Sequence, residues 1–187
     1  MDNEKQQTVI SAVGDGGIGH GLGTYISQKY LVECFRKDAQ GVDQLLWTES
    51  FGNIVVTAGL NKYLQFTIVS GLAAPAWYVG LKGAGVPAAG DTMASHATWT
   101  ESTVYSNATR PAFTPGAVAA GSVDNSAAKA AFTINGSATI SGAFMADNGG
   151  KGTATGTLLG AGDFSTGRAV ESGDTLNVQV TCTMAAA

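Results

Sequence analysis

The C-terminal run LNVQVTCTM (residues 176–184) alternates apolar and polar side chains with hardly a break. A period of two marks a strand with one dry and one wet face, because successive side chains point to opposite sides of the pleat. Leu176, Val178, Val180, Cys182 and Met184 are therefore expected to face a core, with Asn177, Gln179, Thr181 and Thr183 facing out. Such a strand needs a sheet to receive it.

The rest of the chain supplies one. KYLVECFR (29–36) reads as a strand, and LLWTESF (45–51) as its hairpin partner across the polar turn 37–43. Further strands are expected within 53–57, 77–81, 98–105, 131–134 and 138–145. Asn135-Gly136, between the last two, is a strong hairpin signal. A single helix is expected over 58–68, where Leu60, Leu64 and Ile68 form an apolar stripe suited to plugging one side of a sandwich. Composition agrees: Gly fills 26 of 187 positions and charged residues make up 13%, about half their usual share. The expected fold is all-β, an antiparallel two-sheet sandwich of jelly-roll-like type, with one short helix and an extended N-terminal arm.

The arm, residues 1–28, is set apart from a sandwich domain at 29–187 by its glycines. Gly14, Gly16 and Gly19 match a dinucleotide-binding spacing, and Glu33 lies near where a ribose-binding acid would fall. A working site needs a helix directly after those glycines, to aim its N-terminal amides at the phosphates. The next residues are HGLGTYIS (20–27), a poor helix former, and no alternation of strands and helices comes after them. The glycines therefore imitate a nucleotide loop, and no cofactor is expected. An arm of this kind is mobile alone and would be ordered by a neighbouring subunit. Its candidate assembly residues are Val9, Ile10, Val13, Ile18, Leu22 and Tyr25.

A net charge of −4 without a basic cluster argues against a nucleic-acid partner. No apolar run is long enough to span a membrane, and the N-terminus lacks the basic-then-apolar pattern of a secretory signal. Cys34 and Cys182 each fall inside an expected strand and read as reduced, buried thiols, with a bridge left open because pairing depends on geometry. His96, between Asp91 and Glu101, could suggest a metal pair or a base. Neither it nor His20 has metal-binding spacing, so no metal is expected. The sequence has no G-x-S-x-G elbow and no P-loop lysine, and its carboxylates are scattered singly. No catalytic residue is expected, and the chain reads as a non-enzyme. Trp47, Trp77, Tyr78, Trp99 and Tyr105 could line a glycan-binding face, but strand aromatics more often pack into cores.

Five segments in order resemble a family of small structural proteins of tailed bacteriophages: WTESFGNIVVTAGLN (47–61), AWYVGL (76–81), DTMASHATWTE (91–101), RPAF (110–113) and SGDTLNV (172–178). The resemblance spans about residues 29–184 and leaves the arm outside. It implies a virion-associated, non-enzymatic protein of the capsid decoration or cement type, located on the capsid surface and assembled in the bacterial cytoplasm. Its implied partners are the major capsid protein and neighbouring copies of itself. A neck, tail or fibre-base position, or a glycan-binding module, are the competing readings.

Overall fold

A computed structural model of the chain describes residues 24–69 and 71–186. They form the expected all-β sandwich of two antiparallel sheets with one α-helix. β1 (Thr24–Lys37) and β2 (Asp43–Gly52) make the first hairpin, followed by β3 (Ile54–Val55) and the helix α1 (Thr57–Thr67). Then come β4 (Tyr78–Lys82), β5 (Glu101–Ser102), β6 (Ser122–Asp124) and β7 (Ala130–Thr133). β8 (Ala138–Ala146), β9 (Leu158–Val170) and β10 (Thr175–Ala186) complete the order. One sheet runs β2-β1-β10-β6 with β7 also on β10; the other runs β3-β9-β8-β4-β5. The first described strand thus lies beside the last, Thr24 opposite Ala186 and Tyr30 opposite Val180.

The alternation that predicts β10 governs the first sheet. Gln28, Tyr30, Val32 and Cys34 of β1 and Leu176, Val178 and Val180 of β10 point inward and are buried, while their neighbours in sequence are not. Against them the second sheet sets Val79, Leu81, Ile140, Met145, Leu159 and Phe164. Full burial of each large side chain stabilises the fold by about 1.5–3 kcal/mol. The second sheet is covered on its other face too. There Phe144, Ala146, Leu158 and Ala161 pack against Val56, Met93 and Trp99, which come from the helix entry and the loop between β4 and β5. Two-sided burial explains why β8 and β9 read as runs of small and apolar residues without alternation.

The structure corrects several expectations. Asn135-Gly136 does not join a hairpin: β7 pairs with β10 in one sheet and β8 with β4 and β9 in the other, so the dipeptide sits in a crossover between sheets. Inward-facing Phe132, Ile134 and Ile140 lie on both sides of it, and filling the shared core outweighs the local turn signal. Of the strand expected over 98–105, only Glu101–Ser102 pairs with a neighbouring strand; Trp99 turns its indole N–H to Asp91, and Tyr105 makes an isolated bridge to Ile134. β9 lies outside the expected strands altogether; its LLGAGDFSTGRAV holds only Thr166 and Val170 of the β-branched residues that advertise one.

The helix turns the later part of its expected core stripe outward, while Leu60 is half-buried. Leu64 is 58% and Ile68 77% exposed, while Gly59 is buried and Tyr63 packs on the core. Gly59 is the reason. A Cβ there would strike the Leu159 carbonyl, so the helix lies backbone-against-backbone on β9 through its glycine side. Met184, expected inside, is 41% exposed near the end of β10. Residues 24–28 of the expected arm are the opening of β1, and Tyr25 stands opposite Ala185. Val9, Ile10, Val13, Ile18 and Leu22 lie outside the described residues.

Candidate functional site

Most charged side chains buried in this fold are held in specific pairs. Arg110, fully buried, donates through Nε and Nη2 to both oxygens of Glu101 at 2.9 and 2.7 Å. It also donates to the carbonyls of Asn148 at 2.8 Å and Thr153 at 3.0 Å. One guanidinium thereby ties β5 to the 147–157 loop, and its central carbon lies 5.2 Å from the Phe144 ring centre. Asp174, also fully buried, accepts from Arg36 at 2.6 and 2.9 Å and from the Glu171 amide at 2.8 Å. The Arg36 hydrogen bonds hold its carboxyl below the usual carboxylate range. Glu49 of β2 accepts from Arg168 at 2.7 Å and from Ser165 at 3.2 Å, joining the two sheets at their edges.

His20, Gly14, Gly16 and Gly19 lie outside the described residues; the other residues that raise chemical possibilities in the sequence have ordinary structural partners. His96 stacks on Trp99 with ring centres 4.0 Å apart, and its Nδ1 lies 3.0 Å from the Trp99 carbonyl. Asp91 accepts from the Trp99 indole N–H at 2.8 Å, and Glu101 is taken up by Arg110. Neither carboxylate pairs with His96; among the described residues, no cluster of three metal-type ligands forms. Trp99 and Tyr105 are buried, and Trp47 and Trp77 pack against the core, Trp47 edge-on to Phe164. Tyr78 is half-buried. These aromatics build the interior and do not share one open face. Cys34 and Cys182 are free thiols. Cys182 stands opposite Gln28, which is six positions before Cys34 along β1, roughly 20 Å at the rise of a strand. Burial pushes the Cys34 thiol up to about 12, with the nearby Asp174 charge adding to the effect.

Two patches that the fold leaves outside are apolar. A bulge in the β1–β2 pairing sets both Leu45 and Leu46 against Phe35, and they are 55% and 45% exposed, next to Val42 at the hairpin tip. On the helix, Leu64 and Ile68 are one turn apart and continue into exposed Val69 and Leu72. Sequence reasoning places the assembly residues on the glycine-rich arm and misses both patches. The signal for the helical one is the apolar stripe itself, which reads as core. Comparison with known proteins finds no match to this chain among protein-family models, curated sequences or solved structures.

Proposed function

We propose that this chain is a non-enzymatic structural component of a bacteriophage virion, a capsid decoration or cement protein that binds across major capsid protein subunits. The observation that carries the reading is the division of side chains. The Arg110–Glu101 and Arg36–Asp174 pairs fasten loops and strands, while Leu45, Leu46, Leu64, Ile68, Val69 and Leu72 stand outside. Apolar side chains left in water cost stability unless another surface covers them. A repetitive shell would cover each patch many times, so individually weak contacts would act together. The order of segments that resembles phage structural proteins supports a capsid shell as that surface. The candidate assembly residues Val9, Ile10, Val13, Ile18, Leu22 and Tyr25 would add a further contact. The test is the amount of the protein in purified particles of a phage that encodes it, set against the major capsid protein.

A further inference from the structure

One row across the second sheet places an amine against a carboxyl with nothing between them. Glu101 of β5 pairs with Lys82 of β4, Lys82 with Gly142 of β8, and Gly142 with Asp163 of β9. Gly142 has no side chain to fill the middle of the row, and a Cβ there would strike the Gly162 carbonyl. The Lys82 side chain crosses this gap, and its Nζ abuts Asp163 Oδ1.

This contact is not a hydrogen bond. Nζ donates to the Gly83 carbonyl at 3.1 Å and to the Gly85 carbonyl, whereas buried Asp163 Oδ1 has no hydrogen-bond partner. With two of its bonding directions on loop carbonyls, the Lys82 nitrogen has one direction left for Asp163, whose Cγ is one bond from the touching oxygen. The Lys82 side chain is fully buried, and the Trp99 ring centre lies 6.0 Å from its Nζ. Bond formation between the two groups requires one proton to pass from the ammonium to the carboxylate. The products of that transfer, amine and carboxylic acid, are the reactive forms.

We propose that Lys82 and Asp163 join in an intramolecular isopeptide bond that forms in the folded chain. The Nζ lone pair attacks Asp163 Cγ, a C–N bond forms, and a C–O bond of the carboxyl breaks. The departing hydroxyl takes the proton shed by nitrogen and leaves as water. No oxidant, nucleotide or external group enters the balance. The Asp163 side chain is 31% exposed, which gives that water an exit. Fixed proximity supplies the rate advantage. The bond would tie β4 to β9 across β8, and it stands or falls independently of the virion reading.

Intact-mass measurement of the full chain tests it, followed by peptide mapping. The expected result is a mass one water below that of the sequence, with the Lys82 and Asp163 peptides recovered as one branched species. Lys82→Arg should restore the full mass. Should that variant fail to fold, Asp163→Asn provides a second arm: its amide would release ammonia instead of water, so the linked variant and the linked parent have the same mass. A full-mass parent, with the two peptides recovered separately, overturns the proposal. So does a missing water mapped to any other residue.

Discussion

At the scale of single residues, the buried ion pairs decide how the loops are held. Arg110 commits its N–H groups to Glu101 and two carbonyls, so its loss leaves a carboxylate whose side chain is only 8% exposed with the Gly152 amide and no opposite charge. Arg110→Met should cost about 3–5 kcal/mol, the usual penalty for breaking a buried pair from one side. Urea denaturation of the variant measures it, and a loss below about 1 kcal/mol would mean that water already reaches Glu101. Asp174 gives a pH signature. Its folded carboxyl is held below its unfolded value by Arg36, so the pair contributes fully above the unfolded pKa of about 3.9 and fades as pH falls through the folded one. The stability gap between the parent and Asp174→Asn should therefore be widest near neutrality and close below about pH 4, as urea titrations across that range would show. Arg36 is 40% exposed, which keeps this gap smaller than that at Arg110. Neither pair is legible in the sequence: Arg36 and Asp174 are 138 positions apart, and spacing carries no trace of such contacts.

At the scale of elements, legibility follows the side-chain pattern that each strand carries. β1, β2 and β10 belong to a sheet with one face in solvent, and their alternation marks them within a few residues. β8 is covered on both sides over Gly142–Ala146 and is still marked by its apolar run. β9, covered so over Leu158–Gly162, escapes detection because Gly and Ala largely replace the residues that normally mark a strand. The helix lies within one residue of its expected ends, yet it faces the other way. Gly59 is the contact that lets α1 press onto β9, and that contact sends Leu64 and Ile68 outward. If this stripe is a docking face, replacing both residues with Asp should leave stability within about 1 kcal/mol of the parent. The same variant should lose binding to undecorated heads, measured by co-sedimentation. Retained binding would remove the helix from the interface.

At the scale of the whole molecule, the fold is a sandwich thickened by a third layer, with buried charges paired inside and two apolar patches turned out. The two-sheet class and the helix can be read from composition and periodicity. The patches cannot, because an apolar stripe in a sequence says that it will be covered without saying by what. The most direct measurement is the copy number of this chain in purified phage particles, by quantitative mass spectrometry with the major capsid protein as internal standard. A protein that caps junctions all over the shell should be present at a fixed simple ratio to the major capsid subunit. A handful of copies per particle, or none, would contradict a decoration role.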